Sequence, residues 1–162
     1  GPPLELAHTT PYTPQASPEQ HRAIRGLVDS WRGPPSIEVL LAPRGRGKST
    51  ALGEALRQRS PDLRVALTGP SATACRQLID ASGPLCGLQW RPPEELLMSP
   101  GDVDLLVIDE AAQLSIPLLR ALAEAHPAAH MALATTQEGY EGTGRGFVLR
   151  FLSLRGLLKQ DS

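Results

Sequence analysis

Nine consecutive residues concentrate the clearest chemistry in the chain: Ala42-Pro43-Arg44-Gly45-Arg46-Gly47-Lys48-Ser49-Thr50. Apart from Ala42 at the first glycine position, they match a phosphate-binding loop. Glycines let successive backbone N–H groups curl around a phosphate, and the helix that follows adds its positive N-terminal end. In this pattern Lys48 reaches the β- and γ-phosphates and Ser49 holds magnesium. Arg44, Gly45, Arg46, Gly47 and Thr50 complete the expected ATP cradle. The bland alternative, an ordinary strand-to-helix turn, loses ground because an apolar run precedes the loop and a helical pattern follows it, the context the motif requires. Ala42 is tolerated wherever that position does not need positive φ.

A second constellation lies about sixty residues on. Asp104-Leu105-Leu106-Val107-Ile108-Asp109-Glu110 is a hydrophobic run that delivers two acids at its end. Asp109 is expected to bind magnesium through water, and Glu110 to orient and deprotonate the attacking water, which makes Glu110 and Lys48 the expected catalytic pair. Two acids after a strand are by themselves ordinary helix-start residues; it is the upstream loop that gives them a function. At the end of a later strand, Thr136 and Gln137 are candidates to sense the γ-phosphate. Gln20 is a candidate adenine contact, or equally a capping-box residue.

Less specific segments complete the inventory. Thr68-Gly69-Pro70-Ser71 reads either as a nucleic-acid backbone contact or as a simple helix cap. Gly139 to Phe147 is unusually rich in glycine and invites backbone approach to phosphate. It is not an acetyl-CoA pyrophosphate loop, because Gly139 stands where such a loop needs Gln or Arg. From Arg145 to Lys159 the chain carries Arg145, Arg150, Arg155 and Lys159 and no acid. Arg145 and Arg150 are therefore candidate RNA contacts, against the alternative of a solvated face whose long side chains cover apolar neighbours.

These residues need a scaffold, and the apolar pattern supplies one. Residues 1–16 hold four prolines and no helical period, so they read as an extended lead-in to a single lobe over 17–162. Ser17-Pro18-Glu19-Gln20 has the form of a helix start, with Ala23, Ile24, Leu27, Val28 and Trp31 as its buried face. Strands are predicted at 37–42, 63–68, 103–109 and 131–136. Helices are predicted at 48–59, 71–82 and 115–126, with a Pro-rich connection up to Gly101. Strands alternating with helices at these lengths imply an α/β fold: a mostly parallel sheet with helices on both faces.

Composition narrows the classes further. With 162 residues, 41% of them hydrophobic and 20% charged, the chain fits one globular domain with a full core. A formal net charge of -1 gives no global signature of nucleic-acid binding, so any RNA contact must be local. Cys75 and Cys86, the two cysteines, support neither a zinc cluster nor a secreted disulfide framework, and no run approaches a membrane span. A reduced, cytoplasmic setting is the expectation. The start at Gly1-Pro2 reads as a processed end or an excised fragment.

Taken together, APRGRGKS, VIDEAA and TTQEGYEGTGRGF resemble the helicase module of the tRNA(Met) cytidine acetyltransferases, relatives of the eukaryotic RNA cytidine acetyltransferase. The resemblance runs from about Ser17 to Leu152, and the glycine-rich stretch is its most specific part. It implies a RecA-like P-loop lobe that hydrolyses ATP with Mg2+ while the parent enzyme acetylates N4 of the wobble cytidine of elongator tRNA(Met). It also implies that the strand at 131–136 lies between those carrying the phosphate loop and the acids. No second RecA-like lobe and no acetyl-CoA-binding fold are legible, so the expected partners are a second lobe, an acetyltransferase domain that binds acetyl-CoA, and tRNA, all through the parent chain. With an arginine finger coming from elsewhere, the lobe alone should turn over slowly. The competing readings are a lobe of a RecD-like DNA helicase and a nucleotide-gated scaffold that docks RNA without useful hydrolysis.

Overall fold

The computed structural model describes residues 18–42 and 47–136. Its elements run in chain order: α1 (Pro18–Ser30), β1 (Ile37–Ala42), α2 (Gly47–Gln58), β2 (Val65–Thr68), α3 (Arg76–Ser82), α4 (Pro93–Met98), β3 (Leu105–Ile108), α5 (Ile116–Ala125) and β4 (His130–Thr136). Short 3₁₀ turns lie at Pro84–Cys86 and Ala111–Gln113. The four strands form one parallel sheet in the order β1-β4-β3-β2. This is the parallel α/β arrangement expected from the sequence, and β4 does lie between the strand that ends at Ala42 and the strand that leads to the two acids.

The continuous apolar run at 105–108 follows from burial on both sides, because alternate residues of a strand face opposite ways. Leu105 and Val107 join Ile24, Leu27, Val28, Leu52, Leu56 and Leu78, the core under α1, α2 and α3. Leu106 and Ile108 join Leu96, Leu119, Leu122, Met131 and Leu133, the core under α4 and α5. All four strand residues are fully buried, and each apolar side chain of this size contributes about 1.5–3 kcal/mol by leaving water.

Helix ends follow local chemistry. The Ser115 hydroxyl accepts the Leu118 N–H at 3.2 Å, Pro117 sits in the first turn of α5, and Pro127 follows its last residues. Pro18 is the first residue of α1, as expected, whereas Ser17 lies outside the described residues.

Two expectations change. The helix expected from Ser71 begins only at Arg76: Ala72 O accepts Cys75 N–H and Thr73 O accepts Arg76 N–H, a tight three-residue winding that turns α-helical with the Ile79 N–H to Cys75 O bond. The winding lets Cys75 turn inward, where its Sγ lies 3.7 Å from Thr68 O. The Pro-rich connection is not irregular throughout. Trp90 bridges to Leu67 in parallel fashion, Arg91 N–H donates to Leu67 O at 2.9 Å, and Thr68 Oγ1 donates to Arg91 O at 2.7 Å, after which α4 begins on Pro93. These bonds close the outer edge of β2, which would otherwise present unpaired backbone groups.

Candidate nucleotide site

Because every strand of the sheet points the same way, the ends of β1, β3 and β4 come to one edge. Ala42 stands opposite Thr136, and Ile108 opposite Leu133 and Thr68. Open α/β sheets bind ligands at this carboxyl edge. β1 and β3 are two strand spacings apart, about 10 Å, so a group at the start of α2 reaches the acids only on a long side chain passing over the end of β4.

Lys48 makes that reach. Its Nζ donates to Asp109 Oδ1 at 2.9 Å and to Glu110 Oε2 at 2.8 Å. Lys48 is 3% exposed and Asp109 1%, while the Glu110 side chain keeps 21% of its surface in solvent. Burial is the largest influence on the Lys48 ammonium and by itself lowers its pKa. Attraction to Asp109 and hydrogen bonds to both acids overcome it, so the group stands above its ordinary value. Burial likewise raises the Asp109 carboxyl, with Lys48 pulling it back. The two senses compete: burial favours a neutral acid, whereas an ammonium at 2.9 Å favours its anion. With Lys48 itself held charged, contact at that distance makes this an ion pair.

Glu110 occupies the left-handed region, φ 50° and ψ 45°, the one non-glycine residue with positive φ among those described. That conformation costs about 1–2 kcal/mol for an L-residue. It is held by the Glu110 N–H, which donates to Asp109 Oδ1 at 3.0 Å, and by the Glu110 carbonyl, which accepts Gln113 N–H at 3.0 Å. The strain turns the second carboxylate back toward Lys48 where a strand or helix would carry it away.

The remaining expected residues are distributed unevenly. Ser49 is buried beside Lys48 in the first turn of α2, Thr50 is half-buried, and Gly47 is the first residue of that helix. Gln20 is fully buried, and its Nε2 donates to Gly47 O at 3.5 Å, tying α1 to the start of α2. Thr136 ends β4 beside Ala42. Arg44, Gly45, Arg46, Gln137, Arg145 and Arg150 lie outside the described residues. Thr68 is fully buried and its hydroxyl is spent on Arg91 O, so that side chain presents nothing to a nucleic-acid backbone.

A magnesium ion would find one ready ligand atom here: Asp109 Oδ2 is buried and has no hydrogen-bond partner among the described residues. Magnesium needs only one or two protein carboxylates, with phosphate and water completing its shell. The lack of any cluster of three or more His, Cys, Asp or Glu groups among the described residues is therefore compatible with it.

Reading the sequence missed what stands behind Asp109. Cys75 is fully buried there, with its thiol pushed up to about 12 by desolvation first and the nearby Asp109 second. It stays a neutral, space-filling group. Gly69 also backs onto Asp109, and its place directly after a strand was the available signal.

Residues 39–85 and 81–160 match the family model described as RNA cytidine acetyltransferase NAT10/TcmA, helicase domain. The chain belongs to this family. Among its curated relatives are proteins named tRNA(Met) cytidine acetyltransferase TmcA. That of Citrobacter koseri is 38% identical over 144 residues, covering 89% of this chain and 20% of the relative. That of Salmonella typhimurium is 39% identical over 142 residues, covering 87% and 20%. That of Nitrosococcus halophilus is 38% identical over 154 residues, covering 82% and 20%. The chain thus spans about a fifth of the length of these TmcA relatives. A solved chain from a study of DNA unwinding at forked double-stranded DNA by two coordinating Pif1 helicases aligns with a TM-score of 0.47 and 15% identity, over 77% of this chain and 36% of that one. Within the NAT10/TcmA family the matched segment is the helicase domain, and it contains Lys48, Asp109 and Glu110.

Proposed function

We propose that this chain is an ATP-binding and ATP-hydrolysing lobe of an RNA-modifying enzyme. The observation that carries the proposal is the Lys48 ammonium bridging Asp109 and Glu110 at the carboxyl edge of the sheet. Lys48 can exchange a carboxylate for phosphate oxygens without leaving its place, since both partners are anionic acceptors. The start of α2 at Gly47 offers a helix N-terminus to the phosphates, and the sequence pattern assigns Arg44, Gly45 and Arg46 to the same cradle. Ser49 and Asp109, through the buried Oδ2, are the residues that would hold Mg2+. When bound, Mg-ATP supplies the scissile phosphoanhydride bond and screens charge on it. Glu110, the more exposed of the two acids, orients a water molecule and takes its proton. Thr136, with Gln137 after it, stands at the end of β4 between the two halves of the site, where a γ-phosphate sensor belongs.

The relatives are named tRNA(Met) cytidine acetyltransferases, and with the motif resemblance this supports the setting we propose: N4-acetylation of the wobble cytidine of tRNA(Met) by a longer enzyme, with acetyl-CoA bound by another domain and this lobe driving or gating the RNA step. Glu110→Gln separates binding from chemistry. In the full-length enzyme, ATP affinity by calorimetry should stay within about twofold while hydrolysis falls by about 10²-fold or more, the scale of a lost general base. An unchanged hydrolysis rate removes Glu110 from catalysis and with it this reading of the site.

A further inference from the structure

The acid pair is set from behind, by a residue that has no side chain. Gly69 follows β2 directly and is buried against the end of β3. A Cβ on Gly69 would lie 2.7 Å from the Asp109 carbonyl oxygen and 2.8 Å from Cys75 Sγ. The Asp109 carbonyl belongs to the peptide that joins Asp109 to Glu110, so Gly69 rests on the very unit whose rotation fixes the left-handed Glu110. One bond earlier, Asp109 N–H donates to Thr68 O at 3.0 Å. The Thr68–Gly69 backbone therefore bonds Asp109 through its N–H and closely approaches its carbonyl. Gly69 is in turn held from outside: Trp90 Nε1 donates to Gly69 O at 3.1 Å, and the Trp90 backbone is fixed to the edge of β2 by the Leu67 bridge and the Arg91 N–H to Leu67 O bond.

We propose that Gly69 and Trp90 are positioning residues for hydrolysis: through the Asp109–Glu110 peptide they set where the Glu110 carboxylate points, and neither touches the nucleotide. The proposal rests on the reading of Glu110 as the general base. Its physical content is a distance. Ordinary contact begins at 3.4 Å, so a methyl group at residue 69 must push the Asp109 carbonyl, which is backbone and has no rotamer to yield, by roughly 0.7 Å. Displacements of this order in a group that must meet a reacting atom cost on the order of 10- to 10²-fold in rate. Lys48 meets Asp109 at its carboxylate and not at the carbonyl that Gly69 backs, so phosphate binding by Lys48 and the start of α2 is left in place.

The test compares Trp90→Phe, which keeps an aromatic ring but deletes the N–H together with part of the indole's bulk, with Gly69→Ala and with Glu110→Gln, all in the full-length enzyme. Nucleotide affinity, single-turnover hydrolysis and Tm are measured for each. Trp90→Phe is expected to lower the hydrolysis rate about tenfold and Gly69→Ala 10- to 10²-fold, with nucleotide Kd within about twofold of wild type in both. A lost fold would raise Kd and lower the rate together, and positioning lowers the rate alone. Should Gly69→Ala fail to fold, Trp90→Phe carries the test by itself. If Glu110→Gln abolishes hydrolysis while Trp90→Phe and any folded Gly69→Ala turn over like wild type, the positioning role is wrong and the general base stands. If Glu110→Gln itself hydrolyses ATP normally, the base assignment fails first and the positioning proposal with it.

Discussion

At the scale of single residues, the site is held by a charge that has nowhere else to go. Asp109 is 1% exposed, and Lys48 is its one cation within ion-pairing distance among the described residues. Lys48→Ala therefore does two things: it removes the proposed phosphate ligand and strands a buried carboxylate. The second effect should destabilise the fold by about 3–5 kcal/mol, read by chemical denaturation, and the double variant Lys48→Ala/Asp109→Asn should recover much of that loss because a neutral amide costs less to bury. If Lys48→Ala leaves stability unchanged, the pair does not hold as described. It also follows that loss of ATP binding in Lys48→Ala counts against the lysine only when the variant is shown to be folded. That Lys48, Asp109 and Glu110 come together was legible in sequence, because a glycine-rich strand-to-helix loop and an acid-ended apolar strand are a pattern whose parts meet at one sheet edge. The left-handed backbone of Glu110 and the backing by Gly69 and Cys75 were not, since they arise from contacts between segments distant in the chain.

At the scale of elements, the long periodic ones were legible and the short ones were not. α1, α2, α5 and the four strands fall close to their expected ranges because each carries a continuous apolar face or run. α4 is six residues long and opens on Pro92-Pro93, so its prolines read as breakers although Pro93 in fact serves as a helix start. The packing of α2 on α3 offers a sharper test. Gly53 lies in mid-α2, and a Cβ there would stand 2.7 Å from Ala81 C, 2.8 Å from Ala81 Cβ and 2.9 Å from Ala81 O. Helix propensity alone favours Gly53→Ala by about 1 kcal/mol, whereas overpacking costs about 1–3 kcal/mol. Two of the three opposing atoms are backbone, so the clash should win. Gly53→Ala is expected to lower Tm, and Ala81→Gly to restore only part of it because the Ala81 carbonyl remains. A rise in Tm for Gly53→Ala would mean that α2 and α3 are farther apart than described.

At the scale of the whole molecule, a net charge of -1 leaves no general attraction for RNA, so an RNA-facing surface must be a local excess. The stretch from Arg145 to Lys159, with four basic residues and no acidic one, is such an excess. It lies outside the described residues, so its case rests on sequence and on the proposed tRNA substrate. Among the described residues no helix is long and apolar enough to cross a membrane. If Arg145 and Arg150 meet phosphates, each contact releases condensed counterions, and log affinity falls linearly with log salt by about 0.7–0.9 per contact. Arg145→Ala or Arg150→Ala should then flatten the salt dependence of tRNA binding by the full-length enzyme by about that amount. ATP affinity should change little, since Lys48, Ser49 and Asp109 remain. Slopes identical to wild type in both variants would leave these arginines on a solvated face covering apolar neighbours, and would move the search for the RNA path to another part of the enzyme.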